Sequence, residues 1–146
     1  ILSPELKLIS TNFSSNKGRL PWPVLSGSVI SRFGQIPHPV LSGIKIMNNG
    51  IEISTKNTEA RSVFDGEISK VIVLPTGLKV VIVKHGDYLT VYSNLSVVNF
   101  EKGAKVKTKD NIGTIYVDKN KSYQTLGFQI WKAREKLNPM HWISSR

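Results

Sequence analysis

The sequence predicts an all-β barrel or sandwich, and three observations predict it. Short runs rich in β-branched and aromatic residues recur along the chain, each closed by glycine, proline or an Asp–Gly step. No stretch after Gly18 holds a convincing helical period. Hydrophobic residues fill 40% of the 146 positions, enough for one buried core. No apolar run approaches the roughly 20 residues of a membrane-spanning helix.

The elements follow in order. Ser3-Pro4-Glu5 can open a short helix, with Ser3 as cap and Pro4 in the first turn. Thr11 to Gly18 is polar and turn-rich and reads as a linker. Residues 1–18 are therefore expected to be a linker or the remnant of an upstream, coiled-coil region. Residues 19–146 are expected to be the domain, opening at Leu20-Pro21-Trp22-Pro23. The chain begins at Ile1 without a charged and apolar leader and reads as a fragment. Gly27 to Arg32 is the first expected strand, and Gly50 to Ser54 alternates. Asp65-Gly66 turns into Glu67 to Val73. Leu78 to Lys84 is almost continuously apolar and is expected to be buried on both faces. His85-Gly86-Asp87 turns into Tyr88 to Leu95. Val106, Ile112 to Ile115 and Thr125 to Trp131 complete the strands. Arg134 to Asn138 is expected to form a helical turn that Pro139 ends.

A strand sends alternate side chains to opposite faces. Leu126, Phe128 and Ile130 make one face of the last long strand and read as core. Thr125, Gly127, Gln129 and Trp131 make the other. A tryptophan there marks either a groove or a residue packed under a loop. By the same alternation Asn48, Gly50, Glu52 and Ser54 are expected to share a face if the strand begins early enough, as are Tyr88, Thr90, Tyr92 and Asn94.

Composition excludes several chemistries. The absence of cysteine removes disulfides, thiol catalysis and thiolate metal sites. The three histidines, His38, His85 and His141, share no local ligand spacing and read as structural or solvent-facing. There is no G-x-S-x-G elbow, no phosphate-cradling glycine motif and no paired carboxylates. Twenty basic residues against ten acidic give a net charge of +10, which favours an anionic partner or surface. Lys105, Lys107 and Lys109 alternate without stacking aromatics, so they read as a protected strand edge rather than a nucleic-acid interface.

The order of motifs resembles the LytM domain, the lysostaphin-type zinc endopeptidase fold. Leu20-Pro21-Trp22-Pro23-Val24 with Arg32-Phe33-Gly34 resembles its opening. Asn49-Gly50-Ile51-Glu52-Ile53 stands where the family has H-x-G-I-D-I, and Val63-Phe64-Asp65-Gly66-Glu67-Ile68 resembles its A-x-x-D-G-x-V. Val81 to Gly86, then Tyr88 to Leu95, resemble its I-x-H and T-x-Y-x-H-L. Thr125-Leu126-Gly127-Phe128-Gln129-Ile130 stands where it has H-L-H-F-E-I. Asn138-Pro139 and Trp142-Ile143 close the domain as its N-P-x-x-W-L does. The resemblance implies an antiparallel, barrel-like β-sheet domain with a short N-terminal extension.

The resemblance also places the family's zinc ligands at Asn48, Glu52 and Gly127, and its two assisting histidines at Asn94 and Thr125. An amide and a glycine do not replace two imidazoles on zinc. Without the metal there is no activated water, and Asn94 and Thr125 supply no general base. The pattern is similar to the EnvC class of murein hydrolase activators. What that implies is a periplasmic, non-catalytic domain without cofactors that activates N-acetylmuramoyl-L-alanine amidases at cell division. Its upstream region would link it to the division machinery. The expected partner groove comprises Asn48, Asn49, Glu52, Tyr92, Asn94, Thr125, Gly127, Gln129 and Trp131, with Lys132 and Arg134 at its exit. The alternative is a non-catalytic peptidoglycan-binding module. An unorthodox hydrolase and, on charge alone, a nucleic-acid binder are the remaining readings.

Overall fold

The computed structural model describes residues 3–38 and 40–145. Ile1, Leu2, Pro39 and Arg146, which belong to the segments 1–18 and 19–146 assigned above, lie outside the described residues. A helix, α1 (Pro4–Ser15), leads into the strands. These are β1 (Ser28–Ser31), β2 (Gly34–Pro37), β3 (Lys45–Asn48), β4 (Ile51–Thr55), β5 (Glu59–Arg61), β6 (Gly66–Val73) and β7 (Lys79–His85). Then come β8 (Tyr88–Val98), β9 (Lys105–Val106), β10 (Asn111–Ile115), β11 (Gln124–Lys132) and β12 (Glu135–Leu137). The main sheet is antiparallel in the order β1-β4-β11-β8-β7-β6-β9. β10 joins β8 to β5, β12 pairs with β11, and β2 and β3 form a separate hairpin.

The alternation of β11 decides where the core sits. Leu126, Phe128 and Ile130 are fully buried, against Ile51 and Ile53 of β4, Tyr92 and Leu95 of β8, and Val81 and Val83 of β7. Burying a side chain of this kind stabilises the fold by roughly 1.5–3 kcal/mol. The all-β expectation therefore holds, and so does the inward face of β11. β7 differs: only Val81, Val83 and His85 are buried, while Val80 and Ile82 are half-buried. Its unbroken apolar run covers one core face and one partly wet face.

Three further expectations are corrected. Residues 11–15 belong to α1, and Phe13 is fully buried. Its ring stacks on His85 (centroids 4.9 Å) and Tyr88 (4.7 Å) and meets Trp142 (5.3 Å). The polar composition misleads because its side chains bond back into the helix: Ser15 Oγ donates to Thr11 O (2.9 Å) and Asn16 Nδ2 to Asn12 O (2.7 Å). Residues 135–137 are strand, not helix, because Ala133 takes a positive φ of 52° and folds β12 back on β11. The helical turn comes later, at Pro139–His141, capped by the Asn138 side chain on Met140 N. The lysine alternation at 105–109 is not a strand face either. β9 ends at Val106, and Lys109 lies in a turn with φ 73°.

His85 is structural. Its Nδ1 donates to Asp65 O (2.7 Å), which leaves Nε2 to accept from Thr90 Oγ1 (2.8 Å). Thr90 Oγ1 lies 2.9 Å from the Tyr92 hydroxyl, which accepts from Val63 N (3.1 Å). Burial pulls the imidazole down to about 4 and pushes the Tyr92 phenol up to about 12, so both are neutral.

Candidate cleft on the open face of the sheet

The face of β4, β11 and β8 turned away from the core is not flat. Pairing places Glu52 beside Gly127, and Gly127 beside Ser93, in one row across three strands. With no side chain at the middle position, the row sinks. The β3–β4 turn rises on one side, and the loop between β10 and β11 rises on the other. The result is a cleft of about 510 Å³.

Each wall has a local cause. Gly50 lets the β3–β4 turn lie directly on β11, because a Cβ there would collide with Phe128 O. Asn48 and Glu52 consequently do not share a strand, contrary to the expected alternation: Asn48 ends β3 and Glu52 sits in β4. Asn48 is held by its amide, which donates to Ser31 Oγ (2.7 Å) and Arg32 O (2.9 Å). Asn49 Oδ1 accepts from Lys136 Nζ (3.0 Å). On the far side Asn94 takes φ 68°, a conformation that asparagine tolerates better than most residues. The pairing of β8 with β7 shifts between Lys79 and Val81, opposite this point. Asn94 Nδ2 donates across to Thr125 O (2.7 Å), tying the irregular stretch to β11.

The cleft brings together Asn48, Asn49, Glu52, Asn94, Thr125, Gly127 and Gln129. It does not bring in Tyr92, Trp131, Lys132 or Arg134. Tyr92 is fully buried with Tyr88 and Thr90, because that alternate set of β8 faces the core. Trp131 shares the open face but pairs further along, with Leu89 and Lys136, and its Nε1 donates to Gln129 Oε1 (2.8 Å). Lys132 Nζ lies over the Tyr88 ring at 5.6 Å, and Arg134 is exposed in the turn after β11. The floor at Gly127 is shallow, since a Cβ there would collide with Ser93 Oγ.

Sequence reasoning missed Ser93, Tyr116, Asp118, Lys121 and Tyr123, which line the same cleft. The signal for Ser93 is the register with Gly127, which needs the pairing of β8 and β11. The signal for the loop is local: two tyrosines flank a polar turn, and both stay substantially exposed.

Glu52 is the one carboxylate in the floor row. Asn48 has its amide nitrogen committed, and Gly127 offers no donor atom. Among the described residues no group of three or more His, Cys, Asp or Glu side chains is placed to hold a metal ion. This donor set does not fit the three-ligand zinc centre that the LytM resemblance implies.

The chain is 33% identical over 105 residues to the cell division protein DipM of Caulobacter vibrioides, covering 70% of this chain and 16% of DipM. It therefore spans about a sixth of that relative's length. The structure is similar to Helicobacter pylori Csd3, with a TM-score of 0.70, 26% identity, and coverage of 87% of this chain and 35% of that one. It is similar to a chain of the SpoIIIAH–SpoIIQ complex, with a TM-score of 0.64, 25% identity, and coverage of 84% and 98%. Residues 46–139, which include all of the cleft strands, match the model of Peptidase family M23, and the chain belongs to that family.

Proposed function

We propose that this chain is a non-catalytic member of the M23 family that works by protein contact, activating a periplasmic N-acetylmuramoyl-L-alanine amidase during cell division. The observation that carries the reading is the floor row Glu52–Gly127–Ser93, flanked by Asn48, Asn94 and Thr125. The peptidase fold and its cleft are kept, while the donors for a metal and a general base are replaced by amides, hydroxyls and a glycine. Such a surface binds without cleaving. The likeness to DipM, a cell division protein, supports placing the chain in that process. The SpoIIIAH–SpoIIQ complex supports the idea that this fold serves protein association. A cleft walled by two tyrosines and floored by polar groups suits a partner segment with apolar anchors and a polar face.

The test is binding and activation by cleft variants. Gln129→Lys and Thr125→Arg place bulk and charge in the cleft without touching Leu126, Phe128 or Ile130. Each is expected to keep its melting temperature within a few degrees and weaken amidase binding at least tenfold, the cost of about 1.4 kcal/mol. Folded variants that bind and activate like wild type would place the partner elsewhere.

A second reading, peptidoglycan binding without cleavage, draws on Tyr116 and Tyr123, exposed at the cleft wall as sugar-stacking platforms would be. Co-sedimentation with purified sacculi in the absence of amidase separates the two. Retention there that is lost in Tyr116→Ala and Tyr123→Ala favours the wall-binding reading.

A further inference from the structure

A second recess, of about 440 Å³, lies outside the cleft and is lined by Leu25, Lys56, Asn57, Thr58, Glu59, Arg61 and Lys109. Its three cations come from three different parts of the chain: the β4–β5 turn, the end of β5, and the turn before β10. Against them stands one carboxylate, Glu59, so the recess carries two net positive charges. Among the described residues neither Lys56 nor Lys109 takes part in an ion pair. Like charges do not collect in one recess without a compensating cost.

The frame of the recess is fixed by hydrogen bonds that do not use the lysine head groups. Asn57 Oδ1 accepts from Ser26 N (3.0 Å), Ser26 Oγ (3.0 Å) and Thr55 Oγ1 (3.1 Å). Gln124 Nε2 donates to Asn57 O (3.2 Å), and Thr58 O accepts from Ile115 N (2.7 Å). The turn that carries Lys56 is thereby held from both sides. Arg61 Nε donates to Trp22 O (2.9 Å), which sets the orientation of its guanidinium fork. Lys109 N donates to Ser62 O (2.7 Å), which seats its turn beside Arg61.

Lys109 adds an independent observation. Its φ of 73° is left-handed, where glycine or asparagine costs least. The lysine at that position stands against backbone preference, and its side chain lines the recess. Strain of this kind concentrates where a side chain is used.

We propose that this recess binds a phosphate monoester. The chemistry selects that ligand: a phosphate monoester carries about 1.5–2 negative charges near neutral pH, matching the local excess. The two lysines donate to its oxygens, and the Arg61 guanidinium, seated on Trp22 O, adds its fixed charge beside them. A single carboxylate would leave the site half neutralised.

The test is titration of the full chain with inorganic phosphate and with glycerol 3-phosphate, followed through the backbone amide shifts of Lys56, Thr58 and Lys109. Vesicles of phosphatidylcholine with and without phosphatidic acid decide whether the monoester is taken free in solution or as a lipid headgroup. Lys56→Gln with Lys109→Gly removes two charges from the recess, and the glycine relieves the strained turn, so the fold is expected to keep or raise its melting temperature. Lys70→Gln with Lys102→Gln removes the same charge elsewhere. The expected result is saturable binding that the recess variant weakens about tenfold or more and the distant variant changes less than about twofold. Equal losses in both variants, or shifts that do not saturate or do not centre on these residues, would overturn the proposal.

Discussion

Gly127 and Ser93 are paired neighbours at the floor of the cleft, and they can be tested as a pair. A Cβ at Gly127 meets the Ser93 hydroxyl, whereas the Ser93 Cβ stands at an ordinary 3.5 Å. Gly127→Ala alone is expected to cost stability, and in a Ser93→Ala background most of that cost should vanish. A double-mutant cycle by urea unfolding should give a coupling of about 1 kcal/mol. Simple additivity would mean that the backbone, not the hydroxyl, requires the glycine. His85 gives a second residue-scale prediction. Burial holds the folded imidazole down at about 4, below its ordinary 6.5. Between these values the unfolded chain binds more protons than the folded one, so the stability from burying neutral His85 is complete above pH 6.5. It is lost as pH falls toward 4, with a total of about 3 kcal/mol. Melting temperature against pH should show this acid loss in wild type and a shallower one in His85→Gln. Identical slopes would show that His85 does not set it.

At the scale of elements, α1 is the piece whose role composition hid. Phe13 fills an aromatic box of Phe64, His85, Tyr88 and Trp142, so Phe13→Ala is expected to cost about 3 kcal/mol or more. Equilibrium unfolding measures it, and a change below about 1 kcal/mol would mean that α1 packs only loosely. The contrast with β11 explains what was legible. In β11 the alternation is unbroken, so Leu126, Phe128 and Ile130 could be placed inward, and Thr125, Gly127 and Gln129 outward, from spacing alone. In β8 both faces carry residues that suit either side, and Tyr92 hides a satisfied hydroxyl in the core. Parity there became clear only through its register with β11. The left-handed Asn94, the Gly50 contact and the fold-back at Ala133 are set by tertiary partners, which local sequence does not display. Ser93 escaped notice for the same reason, whereas the two tyrosines flanking the polar turn at 116–123 were legible locally and were passed over.

Over the whole molecule, the chain has the fold of Peptidase family M23, and the floor row of its cleft carries Glu52, Gly127 and Ser93. The chain purified from zinc-containing medium is expected to hold far less than one zinc per molecule by elemental analysis. A tightly held stoichiometric zinc would reopen the hydrolase reading. The charge of +10 adds a general attraction to anionic surfaces, screened by salt, so partner binding that survives about 0.3 M salt would point to the cleft rather than to bulk charge. The most direct measurement is dye release from labelled peptidoglycan by a periplasmic N-acetylmuramoyl-L-alanine amidase, with and without this chain. No release is expected from the chain alone, slow release from the amidase alone, and a rise of at least about tenfold when both are present. Release by the chain alone, or an amidase rate that the chain leaves unchanged, would contradict the proposed function.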